Sequence, residues 1–254
     1  MLKVKVNGIS IAYERRGKGT PLVLMHGYPL DHSIWEPLVP LLENDFDLIL
    51  LDLRGFGDSQ VRGTDSSMAD YAADVAGLLD QLNIQKAALV GHSMGGYIAL
   101  TFVRDFPGRV LGLGLVSSQT LADPSEKKIS RYQEAEHVIA YGVNDVAEGM
   151  SVKLTANTSL QCILKELILR QRPEGLAGAL RAMAERPDSS GLLSRVNFPL
   201  VLVHGQVDAL IPIDRARNVK ATVPHAHLTE IPKGGHMPMM EAPQLTAKAL
   251  QGLK

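Results

Sequence analysis

The chain opens in alternation. Apolar and polar residues trade places along Leu2–Val6 and again along Ile9–Arg15, with the turn-forming pair Asn7-Gly8 between them, which predicts a β-hairpin. Short, dense apolar runs follow: PLVLM at 21–25, FDLILLDL at 46–53, KAALVG at 86–91, VLGLGLV at 110–116 and PLVLVHG at 199–205. Runs without alternation suit strands covered on both faces, as in a parallel sheet. Helical patterns separate most of them, at Ser33–Leu42, Met68–Leu82, Met94–Asp105 and Asp214–Thr222. In the second of these, Met68, Tyr71, Ala72, Val75, Leu78, Leu79 and Leu82 trace one helical face. A last strand at His227–Ile231 precedes a terminal helix. Strands alternating with helices imply right-handed crossovers, so the expected fold is α/β, a mostly parallel doubly wound sheet of about eight strands.

One interval breaks the rhythm. Between Val116 and Pro199 no run reads as a strand. Leu160, Ile163, Leu164, Leu167 and Ile168 recur at helical spacing, and Leu176, Leu180 and Met183 mark another face, opened by Pro173 and Glu174. Gly142, Pro173 and Pro187 separate the pieces. A second independent domain competes with an inserted helical cap as the reading of this interval. Entry and exit between two sheet strands favour the cap. The expected division is a core of residues 1–120 and 194–254 carrying a helical insertion at 121–193.

Composition narrows the function classes. The net charge is −1 and no basic or acidic block stands out, so neither nucleic acid nor an anionic membrane is an expected partner. No stretch is apolar for long enough to span a bilayer, and MLKVKVNGIS lacks the apolar core of a signal peptide. The single cysteine, Cys162, lies in an apolar helical stretch and reads as a packing thiol. A cytoplasmic protein is the expectation. Neither an H-E-x-x-H motif nor paired Cys/His spacing is present, so no metal or cofactor is expected. The sequence does not set an oligomeric state.

The candidate chemistry begins at LVGHSMGGYIAL, residues 89–100. Strand, then Gly-His-Ser-Met-Gly, then helix is the context of a nucleophile elbow. Ser93 must take a strained backbone conformation to project its hydroxyl above the sheet edge. Gly91 and Gly95, two residues to either side, are pressed against their neighbours, where a Cβ would clash. The N-terminus of the following helix favours a developing oxyanion.

A serine hydroxyl needs a base within hydrogen-bond reach, and the base needs an orienting acid. The order that accompanies this elbow is serine, acid, histidine. Asp208 follows a buried strand, and His236 lies on a glycine-rich loop after the last strand. Both fall at carboxyl strand ends, where open α/β sheets bind ligands. Asp123, after the sixth strand, is the alternative acid, whereas Asp214 reads as a helix cap. His225 and His227 belong to the opposite end of the last strand. His204, inside a strand, reads as a packed or supporting group, and His92 is expected to point away from the nucleophile. An oxyanion needs two backbone N–H donors. Met94, next after Ser93, supplies one. Tyr28, in the His26-Gly27-Tyr28-Pro29 loop, is the natural second, since Pro29 has no N–H.

Together HGYP at 26–29, DLRGFGDS at 52–59, GHSMGG at 91–96, HGQVDALIP at 204–212 and GGHMPMMEAP at 234–243 make the chain resemble the α/β-hydrolase superfamily over essentially its whole length. More loosely, ALRAMAERPDSSGLL at 179–193 is similar to small-capped carboxylesterases and enol-lactonases. The resemblance implies a serine hydrolase with a Ser93–Asp208–His236 triad and Tyr28 and Met94 as oxyanion amides. It gives Asp52, Arg54 and Asp58 no chemistry. Serine at position 93 argues against the dehalogenases and epoxide hydrolases of the superfamily, which use aspartate, while its cofactor-free dioxygenases and perhydrolases stay open.

The expected activity is hydrolysis of carboxylic esters with small to medium acyl chains, through an acyl-enzyme on Ser93. The partner is thus a small-molecule ester or lactone. Enol-lactone hydrolysis is the alternative, if one of Arg131, Arg170, Arg172 or Arg181 meets a substrate carboxylate. A ligand-binding or receptor member with a weak site is the alternative of another class.

Overall fold

In a computed structural model covering residues 1–254, the hairpin leads into an eight-stranded sheet. Its strands are β1 (Leu2–Val6), β2 (Ile9–Gly17), β3 (Thr20–Met25), β4 (Phe46–Leu51), β5 (Ala87–His92), β6 (Val110–Val116), β7 (Leu200–Gly205) and β8 (His227–Ile231). The spatial order is β1-β2-β4-β3-β5-β6-β7-β8. β1 and β2 run antiparallel to each other and β2 runs antiparallel to β4, whereas every pairing from β4 to β8 is parallel. β4, β5 and β7 are buried at every residue, because helices cover both faces of the sheet.

The helices follow in chain order. They are α1 (Val39–Leu42), α2 (Met68–Gln81), α3 (Met94–Asp105), α4 (Ser125–Tyr141), α5 (Asn144–Leu154), α6 (Thr158–Leu169), α7 (Pro173–Ala184), α8 (Asp214–Thr222), α9 (Pro238–Glu241) and α10 (Pro243–Leu250). Ser67 and Asp70 close a capping box at the start of α2. The single helix expected over Ser33–Leu42 is instead a 3₁₀ segment, His32–Leu38, leading into α1. Pro37 and Pro40 have no N–H to give, so a continuous i→i−4 ladder cannot form there.

α4 to α7 all lie between β6 and β7, α4 packing on α7 and α5 on α6. The apolar face expected on α6 is narrower than its sequence pattern. Leu164, Leu167 and Ile168 are buried, but Ile163 is 49% exposed. Cys162 is exposed as well, not a packing thiol. It sits two residues before Leu164, about 200° around the helix from the covered stripe. No helix is long and apolar enough to cross a membrane.

Candidate active site

Ser93 is the only residue between the end of β5 and the start of α3. Its backbone lies at φ 50° and ψ −113°, a strained conformation for an L-residue. Three bonds hold it there. The Ser93 N–H donates to the Val116 carbonyl at 2.9 Å, and the Ser93 carbonyl accepts from the Ser118 hydroxyl at 2.8 Å and from the Gly96 N–H at 2.9 Å. A Cβ on Gly91 would lie 2.2 Å from the Gly95 carbonyl, and one on Gly95 would lie 2.3 Å from the Met25 oxygen. The corner closes only with glycine at both places. Ser93 stays half-buried while His92 and Met94 are covered, so its side chain is the part of the elbow that meets solvent.

Asp208 sits in the turn after β7. Its Oδ1 accepts from the amides of Leu210 at 2.9 Å and Ile211 at 3.0 Å, and its Oδ2 lies 2.7 Å from Nδ1 of the buried His236. Nδ1 must carry hydrogen to bond a carboxylate, which leaves the lone pair of a neutral ring on Nε2. His204 supports the acid from β7. Its Nε2 lies 2.8 Å from the Ile211 carbonyl and 3.4 Å from Asp208 Oδ2. Burial alone would raise the Asp208 carboxyl, but His204, His236 and the Ile211 amide outweigh it and hold the group far below the usual carboxylate range. No hydrogen bond links His236 Nε2 to Ser93 Oγ. Such contacts are often open without substrate.

The loop of His236 is anchored from two sides. The His236 N–H donates to Leu154 at the end of α5 at 3.0 Å. The Gly235 N–H donates to Glu241 at 2.6 Å, and the Thr155 hydroxyl donates to the same carboxylate. His92 does not point away from the site, as the sequence suggests. Its Nε2 lies 2.9 Å from the His236 carbonyl, and the two rings are 4.9 Å apart. The last residue of β5 lies beneath this loop, a relation that strand alternation cannot reveal. Burial and then the nearness of His236 keep the His92 ring neutral, well below ordinary histidine.

The other candidates fall elsewhere. Asp123 is clamped by Arg131 and by Arg186, the latter at 2.7 Å, and touches no histidine. Asp214 is exposed at the start of α8, and His225 and His227 are exposed at the amino end of β8.

On the other side of Ser93, His26 pins the loop after β3. Its Nε2 accepts from the Leu53 amide at 3.0 Å, and its Nδ1 lies 3.0 Å from the Gly27 carbonyl. The Tyr28 N–H bonds to no backbone carbonyl. Met94 opens α3, so its N–H has no intrahelical acceptor. Two backbone donors are thus left free in the segments flanking Ser93. The Tyr28 side chain is buried, its hydroxyl 3.4 Å from Glu134.

A cavity of about 620 Å³ opens over Ser93, bounded by Tyr28 and Tyr97 from below and by Met150, Leu180 and Met183 from the inserted helices. Of the four arginines singled out in the sequence, only Arg131 lines it, already paired with Asp123. Arg170 faces Asp31 at 3.9 Å, Arg172 donates to the carbonyls of Gly57 and Ser59, and Arg181 pairs with Glu136 at 2.5 Å. Sequence reasoning passed over Arg215, which lines the cavity from α8. The residues best placed to gather around a cation lie apart from Ser93. Asp31, His32 and Asp52 bring ligand atoms within 4.8 Å of one another, a grouping without metal-motif spacing. Asp52 already accepts from His32 Nδ1 at 2.6 Å and from the Asp58 amide at 2.8 Å.

Known proteins share this arrangement of chain. The family described as alpha/beta hydrolase fold matches residues 20–171. The pimeloyl-[acyl-carrier protein] methyl ester esterase of Legionella pneumophila is 30% identical over 239 residues, 91% of this chain and 94% of that protein. The dihydrolipoyllysine-residue acetyltransferase component of the acetoin cleaving system of Pseudomonas putida is 33% identical over 88% of this chain, which spans only 60% of that protein's length. A thermophilic esterase from Thermogutta terrifontis, solved with malate bound, superposes with a TM-score of 0.95 at 36% identity, covering 99% of this chain and 97% of that one. The family match takes in more than half of the chain, and the chain therefore belongs to the α/β-hydrolase fold family, with esterases among its relatives.

Proposed function

We propose that the chain is a carboxylesterase-type serine hydrolase acting on esters of small to medium acyl chain. Ser93 Oγ attacks the ester carbonyl while His236 Nε2 takes its proton. Asp208 holds the imidazole tautomer and stabilises the imidazolium. The amides of Tyr28 and Met94 receive the tetrahedral oxyanion, His236 returns the proton to the departing alcohol, and water then cleaves the acyl-enzyme with His236 again as base. The observation that carries this reading is the 2.7 Å contact between Asp208 Oδ2 and His236 Nδ1, which leaves a basic nitrogen in the loop that packs against the elbow of Ser93.

Residues 121–193 act as a cap on a core of 1–120 and 194–254. In support, Met150, Leu180 and Met183 close over the cavity, and Leu164 and Leu176 share one continuous apolar core with the sheet. The mixed apolar and polar lining suits a small-molecule substrate. A cytoplasmic setting fits a chain that needs no disulfide.

Steady-state hydrolysis of p-nitrophenyl acetate, butyrate, octanoate and palmitate, with Ser93→Ala purified in parallel, tests the reading. Turnover that Ser93→Ala lowers by roughly 10⁴-fold or more is expected. A folded wild type that turns over none of them sinks the general esterase.

A further inference from the structure

Charge around the cavity is unevenly committed. Asp123 is held between Arg131 and Arg186. Asp188 accepts from the amides of Ser190 at 2.8 Å and Ala122 at 3.4 Å, and Glu134 faces the Tyr28 hydroxyl at 3.4 Å. Of the basic lining residues, Arg131 belongs to Asp123 and Lys127 is exposed on α4. Arg215 differs from both. It is half-buried in the first turn of α8, and its guanidinium makes no hydrogen bond or ion pair with the rest of the chain. Withdrawing a guanidinium partly from water without a partner is unfavourable, so a partner that arrives with the ligand recovers that cost.

Arg215 also stands where two cavities meet. A second chamber of about 180 Å³ shares Gln119, Leu121 and Arg215 with the cavity over Ser93. Ser190, Asn218 and Thr222 add hydrogen-bonding groups to its wall. A chain held by its carbonyl at Ser93 can run toward this joint and meet a cation at its far end.

We propose that Arg215 is a specificity residue that selects half esters of dicarboxylic acids. The ester carbonyl sits at Ser93, and the free carboxylate at the other end of the acyl chain pairs with the Arg215 guanidinium. The chemistry rests on the ester-hydrolysis reading above: water cleaves the ester bond, releasing the alcohol and the dicarboxylate. The planar guanidinium fork matches a carboxylate with two parallel N–H donors, which an ammonium cannot do. None of the three acidic groups of the lining forms an ion pair with this cation, and Asp123 is already matched by two arginines.

Monomethyl esters of succinic to suberic acid, set against methyl esters of monocarboxylic acids of the same chain length, provide the test. In the wild type, kcat/KM is expected to favour the half ester by roughly tenfold to a hundredfold at the best length. Arg215→Gln brings that ratio toward unity, mainly through KM, and Arg215→Lys restores part of it. Calorimetric titration of the half ester into Ser93→Ala, with and without Arg215→Gln, reads carboxylate binding without turnover. Equal hydrolysis of both ester types, with a ratio that Arg215→Gln leaves unmoved, overturns the proposal and leaves the esterase standing. Binding that depends on Arg215 in a protein that hydrolyses neither ester does the reverse. Absence of both removes both.

Discussion

His92 Nε2 donates to the carbonyl oxygen of His236 across 2.9 Å, so the residue beside the elbow serine holds up the loop of the candidate base. Burial keeps the ring neutral, and the bond to a carbonyl then fixes its hydrogen on Nε2. Its Nδ1 has no partner, and a Cβ on Gly27 would come within 2.6 Å of it. His92→Phe keeps a ring of similar size and removes the donor. For p-nitrophenyl butyrate, kcat is expected to fall by about 10- to 100-fold with KM little changed, because the base loses its position while the cavity is untouched. An unchanged kcat would show that the loop needs no such support.

Strain at Ser93 has a separate signature. Glycine is at ease at φ 50°, whereas alanine is not. Ser93→Gly is expected to raise stability by about 1 kcal/mol while abolishing turnover, and Ser93→Ala to abolish turnover without that gain. Urea denaturation midpoints of the two variants check this. Equal midpoints would mean that the corner stores no strain.

Acid stability follows from the carboxylates. Asp208 and Asp123 are both held below their ordinary values in the folded state. Each therefore stabilises the fold fully above the unfolded value of about 4, and that contribution is lost as pH falls through the depressed folded value. The urea midpoint should drop steeply below about pH 4, and Asp208→Asn should flatten that slope. Asp208 is held ionised well into acid, so a loss of activity that precedes unfolding does not arise from the orienting carboxylate. A pH–rate profile that stays flat from neutral to acid would remove His236 as the base.

Cys162 offers a simple check on the insertion. Its thiol is exposed on α6 and lines none of the cavities described above. Ellman's reagent should label it in the native state at the rate of a free thiol, with esterase activity retained. A thiol that reacts only in denaturant would mean that this face of α6 is covered.

Much of this was written in the chain. VLGLGLV begins and ends as a strand where its apolar run does, because a central strand covered by helices leaves little room for polar interruption, whereas HLTEI is an edge strand that keeps three polar residues. The elbow was legible for a related reason, since only glycine tolerates a backbone 2.2 Å from its Cβ position. Asp208 and His236 stood out because both follow strands that end at one edge of the sheet. What could not be read depends on separate segments meeting. Arg215 looks like an ordinary residue of a polar helix until Gln119 and Leu121, from after β6, arrive beside it. Ile163 and Leu160 fit the helical period of α6 as well as Leu164 does, but periodicity does not say how wide a stripe the neighbouring helix covers.

The bonds from Leu154 and Thr155 to the histidine loop bear on how such a protein can be altered. The segment between β6 and β7 looks like a detachable module, one that could be swapped to change what the cavity admits. It carries, at the end of α5, part of the scaffolding of the candidate base. A chimera that exchanges the whole segment would change substrate choice and loosen the proton-transfer group in one stroke. Grafts confined to α4 and α7, with positions 154 and 155 kept, would separate the two effects.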